Sequence, residues 1–263
     1  MKKIIVALYN YLRYRFWFSP FRRKLIDSNN SLEGTITLFD KNFHYHIGSA
    51  FYTTYKELFE KNIYEFRSDN PKPLIIDCGA NMGLSVLYFS KLFPNSKIIA
   101  FEPDQSVLPF LEKNIVDQKL TNVTLHKNAV WSKEEELTFY TDKNMGGRVG
   151  VAYIDQTPIK VQALRLKDFL KQPIEMLKMD IEGAEYEVLV DCVDELSNIK
   201  HIFLEYHSFY NEEQHLDDIL SILKKQNFRY HLKESFSRGR PFVNKGLVCE
   251  KYDLAINIYA YKE

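Results

Sequence analysis

From Leu74 onward, short apolar runs that stop at a glycine or an acid alternate with stretches of helical spacing. No other feature of the chain constrains its architecture as much. LIIDCG (74–79) is such a run, as a strand buried on both faces would be, and LSVLYFSKLF (84–93) has the spacing of a helix. KIIAFEP (97–103) reads as the next strand, residues 105–118 as the next helix, and VTLH (123–126) as a third strand running into Asn128, Ala129 and Val130. After a less regular stretch, MLKMD (176–180) is a fourth strand, AEYEVLVDC (184–192) a helix and HIFLEYH (201–207) a fifth strand. A helix over 216–226 and strands over 228–232 and 254–261 complete the series. Alternation of this kind predicts an α/β fold, a doubly wound and mostly parallel sheet with helices on both faces.

Upstream the pattern changes. GTITLFDKNFHYHIG alternates apolar and polar residues around a turn at Asp40 to Asn42, which predicts a hairpin, and a short helix over 55–62 follows it. RSDNPKP (67–73) is polar and proline-bearing, so the main domain is expected to begin there. The chain divides into an amphipathic basic and aromatic helix (1–30), a hairpin and helix cap (31–70) and the main domain (71–263). At 263 residues, 45% of them hydrophobic, that amounts to one sizeable core and a small appendage.

Within the first segment Ile4, Leu8, Leu12 and Phe16 share a helical face, and seven Lys and Arg residues precede the first acid, Asp27. The apolar run is broken at Asn10 and Arg13, without a small-residue cleavage site, so it reads neither as a signal peptide nor as a span. Residues 1–26 suit a peripheral contact with an anionic membrane. A helix packed on the parent domain or on a second subunit, as in a homodimer, is the competing reading. Cys78, Cys192 and Cys249 lack the spacing of a zinc site or a disulfide framework, which suits a reducing cytoplasm. A net charge of zero, and the lack of interleaved aromatic and basic residues, argue against a nucleic-acid partner.

In doubly wound sheets the ligand sits beyond the carboxyl ends of the strands, so the residues there matter most. The first strand runs into Asp77-Cys78-Gly79-Ala80-Asn81-Met82-Gly83. A dinucleotide fingerprint needs glycines where Asn81 and Leu84 stand, and no Gly-Lys-Ser/Thr phosphate loop is present. A loop that starts on an acid and has few glycines suits a ligand bearing an ammonium. The second strand ends at Glu102, before Pro103 and Asp104, where a carboxylate can accept both hydroxyls of a ribose.

DCGANMG, AFEPD and KMDIEGAEYEVL closely resemble the motifs of the FkbM-type methyltransferases, a branch of the class I S-adenosylmethionine-dependent fold. The resemblance covers roughly residues 74–207, with a weaker similarity in TYKELFEKNIYEF. It implies S-adenosylmethionine as cofactor. Asp77, Gly79, Asn81 and Gly83 would surround its methionine end, Glu102 with Pro103 its ribose, and Asn128, Ala129 and Val130 its adenine. It also implies a Rossmann-like, seven-stranded sheet whose last strand is antiparallel, and a hydroxyl acceptor on a saccharide, a glycolipid-linked compound or another polar metabolite.

The fourth strand ends in Asp180, followed by Glu182, Gly183 and Glu185, and the fifth ends in Glu205 and His207. Adjacent parallel strands should bring these groups to one pocket. His207 is the first candidate for the base that deprotonates the acceptor, because an imidazole titrates near neutrality; Asp180 is the second, with Glu205 beside them. A magnesium ion held by Asp180, Glu182, Glu205 and His207 is an open alternative, set below the metal-free reading. For the acceptor itself, NMGGRVG (144–150) and SRGRPFVNKG (237–246) look like substrate loops, with Arg148, Arg238, Arg240 and Lys245 placed to meet an anionic group. Two rivals remain: a nonenzymatic cofactor-binding or scaffold protein on the same fold, and a nucleotide-dependent oxidoreductase.

Overall fold

A computed structural model describes residues 33–141, 147–149, 157–209, 212–237, 239–240, 242–243 and 253–262. The amphipathic segment at 1–26 lies outside the described residues, as do Arg238 and Lys245. No helix among the described residues is long and apolar enough to cross a membrane.

The central sheet contains β3 (Leu74–Cys78), β4 (Lys97–Phe101), β5 (Val123–His126), β10 (Ile174–Met179), β11 (Ile199–Ser208), β12 (Arg229–Ser237) and β13 (Leu254–Tyr261). Its spatial order is β12-β13-β11-β10-β3-β4-β5, and only β13 pairs antiparallel with its neighbours. This is the expected seven-stranded, mostly parallel sheet with an antiparallel last strand. The chain leaves β3 toward β4 and β5 and later returns to place β10 on the other side of β3, so the switch point lies between β3 and β10.

Consecutive residues of the inner strands point to opposite faces, and both faces are covered. Ile75, Ile98 and Phe203 pack with α2 (Leu84–Leu92) and the N-terminal segment; Ile76, Ile99 and Leu204 pack with α4 (Glu185–Asp191) and α5 (Leu216–Lys225). That is why the strands read as continuous apolar runs rather than as alternating ones.

Four elements depart from the sequence expectation. Val123–His126 and Ala129–Trp131 are separate strands; the second, β6, joins a four-stranded sheet, β6-β9-β7-β8, with β7 (Glu136–Thr141), β8 (Gly147–Val149) and β9 (Thr157–Arg165). This sheet occupies the stretch whose periodicity is too irregular to read. The hairpin of β1 (Gly34–Leu38) and β2 (Lys41–Tyr45) turns at Phe39 and Asp40, with φ of 53° and 64°, one residue earlier than the polar cluster suggests. The helix placed at 55–62 begins at Gly48: α1 (Gly48–Tyr55) runs straight into a π-helical turn, Lys56–Glu60. Finally, β11 (Ile199–Ser208) begins two residues earlier and ends one later than expected, with Glu205 and His207 inside it as the sequence places them.

The hairpin is tied to the sheet through α3 (Leu108–Asp117). Asn114, 1% exposed, accepts the His44 N–H at 2.6 Å and donates to the carbonyls of His44 at 2.7 Å and Met82 at 2.8 Å. Asn114→Ala strands these backbone groups in the interior and is expected to cost about 2–4 kcal/mol. Urea denaturation checks it, and because Met82 belongs to the loop after β3, ligand affinity should fall along with stability.

Candidate active site

At the end of β3 three of five residues are left-handed, with φ of +86° at Gly79, 48° at Asn81 and +92° at Gly83. The Gly79 and Ala80 N–H groups both donate to Phe101 O at 3.0 Å, which curls the loop over the end of β4. A Cβ on Gly79 would lie 2.0 Å from the backbone oxygen of Asp180, so only glycine lets the ends of β3 and β10 approach this closely. Gly83 caps α2 and does not line the cavity; its requirement is conformational, since a Cβ there would strike Leu111 at 2.7 Å.

A cavity of about 380 Å³ opens beyond these strand ends. Gly79, Asn81, Glu102, Pro103, Asn128, Ala129, Val130 and Asp180 line it together, as the strand-end argument expects. Glu102 is 6% exposed and accepts the N–H of Asn81 at 2.7 Å on one oxygen and that of Asp104 at 2.9 Å on the other. Burial pushes its pKa to about 7, against the pull of those two donors.

Asp77 departs from expectation. It is fully buried beneath the loop and does not line the cavity; it accepts Ser85 Oγ at 2.6 Å and lies 3.4 Å from the Lys178 ammonium. Lys178, 2% exposed, donates to Gly79 O at 2.6 Å and also stands 3.4 Å from Asp180. Burial works against its charge, but Asp180 and Asp77 outweigh that and raise its pKa. One ammonium therefore clamps the loop carbonyl and two strand-end carboxylates.

Asp180, Glu205 and His207 each bring one candidate ligand atom within 4.8 Å of the others, and Glu182 stands 3.8 Å from His207 Nε2. His207 Nδ1 is 3.0 Å from Glu185 Oε1. Glu185, 1% exposed, also accepts the N–H groups of Ile181 and Gly183, and so fixes the turn that carries Glu182 at φ 55°. Burial opposes charge on His207, yet Glu182 and Glu185 more than offset it and hold its pKa well above 6.5. The two acids thus favour the charged imidazole, which makes it a weaker candidate for the base than the sequence suggests. Glu205 has the opposite character. Burial, reinforced by Asp180, lifts its pKa to about 7, and Ser235 Oγ donates to it at 2.6 Å.

Of the expected anion-binding arginines, the two described ones, Arg148 and Arg240, do not line the cavity. Arg148, 5% exposed, pairs with Glu212 at 2.9 Å and lies over the Phe209 ring, 3.8 Å from its centroid; only its neighbours Gly147 and Val149 line the cavity. Arg240 is exposed. The far wall comes instead from the N-terminal segment, as Thr53, Thr54, Glu57 and Tyr64.

The sequence profile of the methyltransferase FkbM domain matches residues 77–230, more than half of the chain, and takes in every strand end just described. The chain belongs to the FkbM methyltransferase family. The fungal methyltransferase sdnD of Sordaria araneosa is 29% identical over 179 residues, which cover 51% of this chain and 66% of that protein. The 2-O-methyltransferase NoeI of Sinorhizobium fredii (strain NBRC 101917 / NGR234) is 24% identical over 194 residues, 65% of this chain and 77% of that protein. Among solved structures, the methyltransferase FkbM from Methylobacillus flagellatus KT shares the fold, with a TM-score of 0.51 and 18% identity over 78% of this chain and 48% of its own. The chain thus spans just under two thirds of the fungal relative and about half of that solved protein.

In this FkbM family member the site residues fit an adenosyl ligand. Each Glu102 oxygen has accepted one N–H and keeps lone pairs for a hydroxyl, and Phe101, Val107, Ala129, Val130 and Phe139 supply apolar wall for a flat base. Lys178 escaped the reading of the sequence, although it lies in the quoted motif KMDIEGAEYEVL; a single lysine in an apolar strand is its only signal. Glu57 and Tyr64 lie in the weakly similar stretch TYKELFEKNIYEF without a sign of their role, and Ser235 carried no signal, because only the fold brings 53–64 and 235 to the strand ends.

Proposed function

We propose that this chain is an S-adenosylmethionine-dependent O-methyltransferase acting on a hydroxyl of a saccharide or similar polar compound. The observation that carries this reading is one cavity running from the Gly79 loop and Glu102 to the carboxylates at Asp180 and Glu205. Family membership and the printed name of the relative NoeI, a 2-O-methyltransferase, support it.

S-adenosylmethionine, when bound, supplies a methyl group on a sulfonium that an acceptor oxygen displaces in line. Glu102 would hold its ribose hydroxyls, Asn128 to Val130 would flank its adenine, and Asp180 would face its methionine ammonium. Glu205 takes the acceptor's hydroxyl proton as the oxygen–carbon bond forms, and passes it to solvent when product leaves. The His207 cation, held by Glu182 and Glu185, tempers the negative charge around that proton transfer.

Two outcomes test the reading. Incubation with methyl-labelled cofactor and a hydroxyl acceptor should yield a methyl ether and equimolar S-adenosylhomocysteine; NAD turnover without methyl transfer would favour the oxidoreductase rival. Because Glu205 needs no metal ion in this reading, chelator-treated, metal-free protein should keep its full rate, and a rate restored only by magnesium would make Asp180, Glu205 and His207 a metal site.

The pKa of Glu102 makes a separate prediction. Ionised Glu102 accepts two hydroxyls, whereas the protonated form offers one of its oxygens as a donor. S-adenosylhomocysteine affinity should therefore weaken below pH 7, by up to about tenfold per pH unit. Titration at pH 6, 7 and 8 checks this, and in Glu102→Gln the affinity should be lower and the slope much reduced.

Residues 1–26 are proposed as a peripheral contact with anionic membrane on the cytoplasmic side. Vesicle co-sedimentation that survives their deletion would remove the idea.

A further inference from the structure

The acceptor end of the cavity is walled by Glu57, Asp180, Glu182 and Glu205. The cations beside it are already matched: Lys178 lies 3.4 Å from both Asp77 and Asp180, and His207 faces Glu185 and Glu182. Among the described residues Glu205 has a neutral donor, Ser235, and no ion pair, while Glu57 has only Lys61, 3.7 Å away and half exposed. Glu205 also has the buried His207 imidazole within 4.8 Å, so it is Glu57 that lacks a buried counter-charge. Glu57, Glu205 and Tyr64 line the same cavity of about 380 Å³; burial and then the charges of Asp180, Glu205, Asp77 and Glu57 raise the pKa of the Tyr64 phenol.

The backbone supports a ligand role for Glu57. It sits in the five-residue π-helical turn Lys56–Glu60, continuous with α1, and turns of this kind are uncommon and concentrate at functional sites. Thr53 and Thr54, from the last turns of α1, line the cavity beside it and offer hydroxyls.

Resting on the methyltransferase reading above, we propose that the acceptor carries a protonated amine a few bonds from the hydroxyl that is methylated, with the ammonium on Glu57 against the Tyr64 ring and the hydroxyl on Glu205. A carboxylate beside an aromatic ring recognises an ammonium by charge-assisted hydrogen bonding and cation–π attraction. The same arrangement explains selection of oxygen over nitrogen. The amine keeps its proton and has no lone pair to attack with, while the hydroxyl gives its proton to Glu205 and forms the new carbon–oxygen bond as the sulfur–carbon bond breaks. An anionic acceptor would meet the acidic wall unpaired.

The test uses full-length protein saturated with S-adenosylhomocysteine and titrated at pH 7 with glucosamine, N-acetylglucosamine and glucose 6-phosphate. The amino sugar should bind about tenfold or more tighter than its neutral amide, with the phosphate weakest. Glu57→Gln, a substitution on a partly exposed helical turn, should erase that preference and leave S-adenosylhomocysteine affinity unchanged. Absence of glucosamine binding, equal or tighter binding of the amide or the phosphate, or a preference that survives Glu57→Gln overturns the inference while the methyltransferase reading stands. Failure of the same sample to bind S-adenosylhomocysteine overturns both.

Discussion

Glu205→Gln is expected to lower the rate of methyl transfer by about 10²–10⁴-fold at saturating acceptor, with little change in S-adenosylhomocysteine affinity. Glutamine keeps the shape of the side chain and can still accept the Ser235 hydroxyl, so the cavity wall survives and only the proton acceptor is lost. Glu205 suits the task because burial lifts its pKa to about 7, where it is ionised often enough to accept a proton and basic enough to drive the transfer. The rate should therefore rise with pH through neutrality as Glu205 loses its proton. His207→Gln gives the contrast. Its imidazole stands 3.0 Å from Glu185 and 3.8 Å from Glu182, acids that raise its pKa and favour the charged form, so its loss should be the smaller of the two. If His207→Gln proves the more damaging at saturating acceptor, the roles must be exchanged.

Lys178→Met is expected to destabilise the protein by about 3–5 kcal/mol, the scale for breaking a buried ion pair by removing one partner. The methionine fills most of the space, so the loss is electrostatic: Asp77, fully buried, and Asp180 are left facing each other across the loop, and Gly79 O loses its donor at 2.6 Å. Asp77→Asn in the same background removes one stranded charge while Ser85 still has an oxygen to donate to, and should recover much of the loss. The coupling is read from urea midpoints of the four species in a double-mutant cycle. A single-variant cost below about 1 kcal/mol would show that the clamp contributes little.

The architecture was legible because buried parallel strands write themselves as short apolar runs, and LIIDCG, KIIAFEP and HIFLEYH are of that kind. The cofactor end was legible for a related reason: Gly79, Asn81, Glu102 and Asp180 sit within a few residues of strand ends, and strand ends converge. Local spacing does not say where a side chain points once several neighbours compete for it. Asp77 and Glu102 both close strands, yet Asp77 turns inward to Ser85 and Lys178 while Glu102 faces the cavity. His207 looked like a base because its partners were unknown; Glu182 in the loop after β10 and Glu185 at the start of α4, both more than twenty residues away in sequence, raise its pKa. Arg148 stands between two cavity-lining residues and still packs on Phe209 with Glu212, a contact more than sixty residues distant in sequence. The acceptor wall at Thr53, Thr54, Glu57 and Tyr64 depends on how the N-terminal segment lies over the sheet, which no periodicity encodes.

Isothermal titration of the folded, full-length protein with S-adenosylhomocysteine is the most direct test of the central claim, that the Glu102 cavity receives an adenosyl sulfur ligand. The account predicts saturable binding at one site per chain, weakened about tenfold or more by Glu102→Gln, and no competition from NAD. A folded protein that shows no saturable binding, or an affinity indifferent to Glu102→Gln, would contradict it.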